Sequence, residues 1–375
     1  MKLNEFDYQL PEGLIAQEPI KPRDHSRLLI LEKQTGRIRY RKFYEIIDYL
    51  NSNDVLVFND TKVIPARLLG KKENGGKQEI LLISPFNDKP QIQTWPSQWL
   101  VIAKPLPKIN QEIAFENGNP TGKLVEARPL PAGRGRASTK TFANDLMLRG
   151  RVIQIFKEKP VIEFNQQGET LKEKIYKIGK MPLPPYIKNP TKRSFKNYQT
   201  VYAEKLGSVA APTAGFHFTK SLIKKLKAKG AQMEFITLHV GLGTFEPIRA
   251  ENIKDHQMHS EYFAISKQTA RNLNKAKKQG KSIIAVGSTA ARALEFSANE
   301  KGLIRAQNGW NNLFIIPGYK FKFVDKLITN FHLPKSTLLM LVSAFADKEL
   351  IFQAYRQAIQ KEFRFYSFGD AMFVV

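Results

Sequence analysis

Hydrophobic and polar positions fall into two textures along this chain. Two short runs, Leu28–Glu32 and Arg37–Phe43, flank a turn signal at Thr35–Gly36 and predict a hairpin. A helical stretch is expected over Tyr44–Leu50, followed by an apolar strand, Val55–Phe58, that ends in Asn59–Asp60–Thr61. From Ala66 to Phe164 the apolar runs are short (Gln78–Ile83, Leu100–Ala103, Leu124–Ala127, Val152–Phe156), and turn signals such as Asn74–Gly75–Gly76 and Asn117–Gly118–Asn119 split them. No long helical period occurs there, which predicts a small β-barrel-like domain.

Past Lys180 helical and strand patterns alternate. Helix Lys220–Lys229 stops at Gly230 before strand Met233–Val240, and helix Lys267–Gln279 stops at Gly280 before strand Ser282–Val286. Helix Ala290–Asn299 precedes strand Leu313–Ile316, and strand Leu327–Phe331 leads into helix Pro334–Ala346, with Pro334 suited to a first helical position. Such alternation predicts an α/β sheet. The simplest architecture is one α/β domain assembled from both chain ends, residues 1–65 and 165–375, with the β-rich domain inserted at 66–164.

One stretch is built as a site rather than as a core element. In Tyr198–Thr219, Ala210, Ala211, Ala214 and Gly215 are too small to fill a core, and Pro212 and Gly215 fix a sharp path that admits close approach. Thr213 and His217 interrupt it with polar groups, and Thr219 stands where an N-cap belongs. Four further segments leave a strand and enter a turn: Asn59–Thr61, His239–Thr244, Gly287–Thr289 and Asn330–Pro334. Ligands of open α/β sheets bind beyond the carboxyl ends of strands, so these segments are expected to meet in one crevice. Candidates there are His239, Gly241, Gly243, Arg292, Asn330 and His332, with Asp60 and Arg67 after the first strand. Each also has a plain structural reading: a backbone-bonded histidine, a glycine required by its turn, a salt-bridged arginine or a turn aspartate.

Composition narrows the chemistry. The absence of cysteine excludes disulfides, zinc–cysteine sites and thiol catalysis, and no metal-ligand spacing appears among the six histidines. The N-terminus has no apolar signal core and the longest apolar run, near Leu338–Ala346, is far too short to span a bilayer, which predicts a cytoplasmic protein without membrane contact. A net charge of +25 exceeds what solubility requires and points to a nucleic-acid partner. Basic stretches lie at Arg134–Lys140, Lys220–Lys229 and Arg271–Lys281.

GSVAAPTAGFHFT, from Gly207 to Thr219, resembles the signature of the S-adenosylmethionine:tRNA ribosyltransferase-isomerases of queuosine biosynthesis. The motifs NDTKVIPARL, KMPLPPYI, LHVGLGTFEPI, MHSEY, TNFHLPKSTLLMLVSAFA and FRFYSFGDAM follow in that family's order over nearly the whole chain. VGSTAARALE departs from it: Ser288, Ala290 and Ala291 stand where the resemblance leads one to expect threonine, serine and valine. The resemblance implies a reaction. The ribosyl part of S-adenosylmethionine passes to 7-aminomethyl-7-deazaguanine at the wobble position in the tRNA anticodon loop and is isomerised to give epoxyqueuosine, with loss of adenine and methionine. S-adenosylmethionine is then a consumed substrate, with no cofactor and no metal. His217, His239 and His332 are the expected proton-transfer residues, because histidine titrates near neutral pH. Asp60, Arg67, Thr213, Gly215, Gly241, Gly243, Arg292 and Asn330 are the expected substrate-binding residues. A monomer is expected. A non-catalytic RNA clamp would leave the strand-end histidines idle, and a methyltransferase would call for a glycine-rich GxGxG loop after the first strand, which is missing.

Overall fold

Every residue of Asp54–Asn59 is buried, as a central strand with both faces covered requires. In the computed structural model this strand lies between Gln232–Leu238 and Ser282–Val286, parallel to both, and Lys326–Asn330 extends the parallel block. The structure describes residues 1–86, 94–115, 147–156, 158–241, 248 and 250–375, and all counts refer to these. Two compact units form: Met1–Val63 with Leu183–Val375, and Ile64–Pro182.

The first unit is a nine-stranded sheet. Beyond Lys326–Asn330, the C-terminal strand Ala371–Val374 runs antiparallel to it and parallel to Arg27–Leu31, with Leu28 opposite Ala371. Ile38–Lys42 closes that edge as a hairpin, its turn using Gly36 at φ +69°. Glu261–Ile265 and Gln307–Asn311 add antiparallel strands at the other edge. Both chain ends therefore build one sheet.

The strand period of two sorts the core onto the two faces. Val55, Val57, Ile283 and Ala285 point to one side, where the helices Lys267–Lys278, Ser288–Ser297, Thr337–Ala346 and Lys348–Gln360 bury their apolar stripes. Leu56, Phe58, Ile284 and Val286 point to the other, against Leu222 and Leu226 of the helix Lys220–Ala228 and against Phe43 and Ile46. Side-chain caps start these helices: Thr219 accepts from Leu222 N (3.1 Å), Ser266 from Thr269 N (3.0 Å) and Ser336 from Leu339 N (3.2 Å).

The helical stretch expected over Tyr44–Leu50 is the 3₁₀ helix Phe43–Tyr49. Two elements differ from the sequence expectation. The helix expected from Pro334 begins at Thr337, because Lys335 sits at φ +55° and Ser336 is its cap. Leu313–Ile316 is not a strand; the edge strand is the polar Gln307–Asn311, while Ile315 is buried in the core from a loop, where apolar composition alone mimics a strand.

In the second unit six antiparallel strands close into a barrel in the order Lys159–Phe164, Gln98–Lys104, Lys77–Pro85, Arg67–Lys72, Glu112–Phe115 and Leu148–Phe156. Closure leaves no free edge, and Leu68, Ile80, Leu82, Trp99, Val101 and Val161 fill the interior. The unit runs to Pro182 rather than to 164. The helix Gly168–Ile178 belongs with the barrel: Gly168 N donates to Trp95 O (2.7 Å), Tyr176 meets the Trp95 ring edge-on, and Lys180 pairs with the Arg67 backbone. The expected strand Leu124–Ala127, the turn Asn117–Asn119, the basic stretch Arg134–Lys140 and Gly243 lie outside the described residues. No helix among the described residues is long and apolar enough to cross a membrane.

Gly179, which ends that helix, is fixed by contact rather than by its dihedral angles. A Cβ there would stand 2.0 Å from Pro65 O and 2.6 Å from Ile175 O, both backbone atoms that cannot swing aside. Gly179→Ala is expected to destabilise the barrel unit by about 1–3 kcal/mol, read as a lowered unfolding midpoint by calorimetry.

Candidate active site

The parallel block places four strand ends side by side, and Asn59 ties three of the adjoining segments together. Its Nδ2 donates to Leu238 O (2.9 Å) and Thr289 Oγ1 (3.4 Å), and its Oδ1 accepts from Leu238 N (2.9 Å) and Thr61 N (3.2 Å). A crevice opens beyond these ends. Its wall takes Ala211–Ala214 from the small-residue segment, Val240, Gly287–Thr289, and Thr329–Leu333. Ser208 holds the small-residue segment to the adjoining strand end, accepting from Val240 N (2.9 Å) while Ala210 bridges to Val240. Tyr186, Tyr366 and Ser367 line the crevice as well, with Tyr186 Oη and Ser367 Oγ 2.6 Å apart. Sequence reading missed these three; the φ of +69° at Tyr366 is a backbone strain that composition does not reveal.

The three histidines part company here. His332 lines the crevice, with Nε2 2.8 Å from Thr329 Oγ1, and its backbone N–H donates to Tyr355 Oη (2.9 Å). Burial pushes its pKa down to about 3. His217 lies one residue away from the crevice, buried against Phe43. Its Nε2 faces Asn330 Oδ1 (3.3 Å) and its Nδ1 faces Ser26 Oγ (2.7 Å). Asn330 Nδ2 donates to Tyr366 O (2.8 Å), so Oδ1 must accept, which assigns the proton to His217 Nε2 and leaves Nδ1 to accept from Ser26. Both ring nitrogens are occupied, and burial, above the other influences, lowers the pKa to about 4. His239 stands with Nδ1 2.7 Å from Thr61 Oγ1, its ring stacked on Tyr262, and its pKa is lowered by burial to about 4. A Cβ on Gly207 would come within 2.5 Å of His239 Nε2, so that glycine is the floor under the ring.

The other expected residues divide in the same way. Thr213 and Asn330 line the crevice. Gly215 does not: a Cβ there would stand 1.9 Å from Tyr202 Oη, so its smallness serves the packing of Tyr202. Gly241 N donates to Glu261 Oε1 (2.9 Å), and Arg292 Nη1 meets Glu261 Oε2 at 2.6 Å with both side chains under 5% exposed. Arg292 therefore anchors the strand-end turn at Gly241 and has no face free for a substrate carboxylate. Arg67 belongs to the barrel unit, paired with Glu79 at 3.5 Å. Asp60 is held by Thr237 Oγ1 (2.7 Å), and burial raises its pKa to about 6. Of the residues that depart from the family pattern, Ser288 lines the crevice, whereas Ala290 and Ala291 are core.

The sequence profile described as "Queuosine biosynthesis protein" matches residues 3–374. The chain belongs to the S-adenosylmethionine:tRNA ribosyltransferase-isomerase family. It is 47% identical over 377 residues to the S-adenosylmethionine:tRNA ribosyltransferase-isomerase of Macrococcus caseolyticus, and 47% identical over 376 residues to that of Halothermothrix orenii, covering all of both chains in each pair. The crystal structure of S-adenosylmethionine tRNA ribosyltransferase from Thermotoga maritima is similar over 99% of this chain and all of that one, with 34% identity and a TM-score of 0.52. Family members are enzymes of the transferase–isomerase type, and the segments GSVAAPTAGFHFT, VGSTAARALE and TNFHLPKS of this chain each bring residues to the crevice.

Burial of the histidines makes stability depend on pH. The unfolded chain protonates these rings near 6.5, while folded His217 resists until about 4 and His332 until about 3. Their contribution is fully present above pH 6.5 and is lost as pH falls towards those values. Asp60 acts oppositely, since its folded carboxyl keeps a proton up to about 6 against 3.8 when unfolded, costing stability as pH rises through that window. With His239 also lowered to about 4, three rings outweigh one carboxyl. The unfolding midpoint is expected to fall steadily from pH 7 to 4.5, and His217→Gln should flatten that slope; a midpoint constant over the range would contradict the assignment.

Proposed function

We propose that this enzyme transfers the ribosyl part of S-adenosylmethionine to the amine of 7-aminomethyl-7-deazaguanine at the wobble position of a tRNA anticodon loop. The sugar is isomerised to an epoxycyclopentanediol, giving epoxyqueuosine, and adenine and methionine leave. It acts in the cytoplasm as a monomer, with S-adenosylmethionine consumed as a substrate and no metal or cofactor. The observation that carries this reading is the coincidence of whole-length kinship with one crevice at the carboxyl ends of the parallel strands, lined by the segments that carry the resemblance in sequence.

The reaction sets definable tasks. A base must remove a proton beside the sulfonium, whose positive charge acidifies that carbon, and an acid must assist the departing adenine. His332 lines the crevice and uses Nε2 towards Thr329, leaving Nδ1 for a substrate proton. With a pKa near 3 it is neutral at pH 7, and the same desolvation that weakens its basicity strengthens electrostatic attraction to a sulfonium. Thr213, Ser288, Thr289 and Asn330 supply polar contacts for a ring-opened sugar. His217 acts through Asn330 and His239 through Thr61, as positioning residues. Lys224, Lys225 and Lys227, exposed on the helix whose Leu222 and Leu226 face the core, draw the tRNA by long-range attraction.

Incubation with S-adenosylmethionine and tRNA carrying 7-aminomethyl-7-deazaguanine, followed by chromatography and mass spectrometry, tests the reading. Free adenine and methionine with a matching gain in tRNA mass are expected. Adenosylhomocysteine instead would mean methyl transfer, and tRNA binding without turnover would mean a binding protein. His332→Gln is expected to lower kcat by ~10²-fold or more while the unfolding midpoint stays close to wild type. A wild-type rate in that variant would remove His332 from the chemistry.

A further inference from the structure

A second, narrower cleft shares Ser367 with the crevice. Its walls are Pro19, Ile20, Arg23 and Ser26 on one side, Phe216 and His217 below, and the turn from Arg364 to Gly369 on the other. The charges around it do not balance. Buried Asp370 serves two arginines at once, accepting from Arg364 Nη2 (3.2 Å) and backbone N (2.8 Å), and from Arg27 backbone N (2.9 Å) and Nε (3.5 Å).

Arg23 has no carboxylate partner among the described residues. Its Nη1 donates to Gln199 O (2.7 Å) and its Nη2 to Asn197 O (2.7 Å) and Oδ1 (3.1 Å), all neutral acceptors. The neighbouring acids are engaged elsewhere, Asp24 by Thr219 Oγ1 (2.7 Å) and Glu18 by Arg193 (3.9 Å). Arg23 and Arg364 line the cleft, and Asp370 is already engaged by Arg364 and Arg27, so the charge of Arg23 stands there without a carboxylate to offset it. Burial opposes the charge of Arg23, yet a guanidinium does not lose its proton at neutral pH. An anion would relieve that cost. Each guanidinium has five N–H donors, so Arg23 and Arg364 both retain unused ones at the cleft.

We propose that this cleft seats one backbone phosphate of the tRNA, an inference that rests on the ribosyl-transfer reading above. Phe216 and Phe368, stacked at 25° with centroids 5.9 Å apart, form an aromatic wall beside the two guanidinium groups. Forked guanidinium groups match phosphate oxygens. The rim adds the exposed Lys21, with Arg193 reaching Pro19 O (3.3 Å) while it pairs with Glu18 (3.9 Å). A polyanion uses such a rim, and a lone carboxylate does not. His217 at the floor hydrogen-bonds Asn330, so a phosphate seated here is one side chain removed from the crevice wall. The seat would thus set where the modified nucleotide stands.

The test measures tRNA affinity of the full chain by fluorescence anisotropy across a salt series, alongside S-adenosylmethionine affinity by calorimetry. Arg23→Gln and Arg364→Gln are each expected to weaken tRNA binding about three- to tenfold and to lower the slope of log affinity against log salt by about 0.7–0.9, the signature of one lost phosphate contact. S-adenosylmethionine affinity should not change. Unaltered tRNA slopes in both variants would overturn the proposal, and a selective loss of S-adenosylmethionine affinity would assign the cleft to its carboxylate instead. Should the glutamine variants not fold, Arg23→Lys and Arg364→Lys decide, since each keeps the charge and loses the fork: reduced affinity with a preserved slope supports the seat, and wild-type affinity overturns it. Failure of the wild-type protein to bind tRNA at all would instead overturn the ribosyl-transfer reading, and the seat with it.

Discussion

Backbone pairing between Asp54–Asn59 and Gln232–Leu238 runs out at the Asn59–Ile236 pair, and from there the side-chain amide of Asn59 takes over. It supplies Leu238 with both an acceptor and a donor, as a further strand residue would, and uses its remaining capacity on Thr61 N and Thr289 Oγ1. The amide is fully buried, so each of these bonds replaces one that water cannot provide, and an orphaned group there would cost about 1–3 kcal/mol. The consequence is geometric. Past Asn59 the chains diverge: Thr61–Val63 turns to pair with Lys205–Ser208, and Leu238 continues against Phe263. The sheet can open into a crevice at this point only because one side chain closes the ladder behind it.

Desolvation then sets the chemical character of that crevice. A histidine in a sequence suggests a group that titrates near neutral pH. In the folded chain His217, His239 and His332 all sit where the charged form is penalised, with pKa values of about 4, 4 and 3. At neutral pH they are uncharged organisers of hydrogen bonds. His217 uses its two nitrogens to join Ser26 to Asn330, and Asn330 in turn anchors the turn at Tyr366 and Ser367. What this arrangement holds in place is a wall of hydroxyls, the Asn330 amide and apolar side chains around the one histidine, His332, that reaches the crevice. A neutral, water-poor surface of that kind suits a cationic sulfonium substrate, for which a fixed positive charge would be repulsive.

How much of this was legible in the sequence depended on whether the signal was local. Gly36, Gly230 and Gly280 punctuate the chain at positions of positive φ, and the elements they bound were readable for that reason. Thr219 was readable as a cap because an N-cap is a matter of three residues. The union of the two chain ends was less so, since Leu28 and Ala371 are brought together by long-range pairing that no short window contains. Among site residues, the small-residue segment lines the crevice together with Gly287–Thr289, Asn330–Leu333 and Val240 from three of the four strand-end turns, which places Thr213, Ser288, Thr289, Asn330 and His332 on its wall. Gly215, Gly241 and Arg292 do not line it, and the reason lies in partners remote in sequence: Tyr202 claims the space at Gly215, and Glu261 claims both Gly241 and Arg292. Asn59 was passed over as a strand-end turn residue because its four partners come from three separate segments.

Charge shows the same division between what is diffuse and what is placed. An excess of 25 positive charges acts at a distance, but most of it sits on exposed lysines, whose flexible, hydrated ammonium groups attract without orienting. Four arginines are placed differently. Arg292 is sealed against Glu261, Arg364 and Arg27 share Asp370, and Arg23 is tethered through three neutral oxygens to the segment that precedes the small-residue stretch. A guanidinium held by fixed acceptors loses little further freedom when it meets an anion, so its contribution goes into orientation rather than into capture. Lysines can bring a polyanion to the surface from any side. Only a charge that is already immobilised, and left without a carboxylate of its own, can decide where along that polyanion the crevice comes to rest.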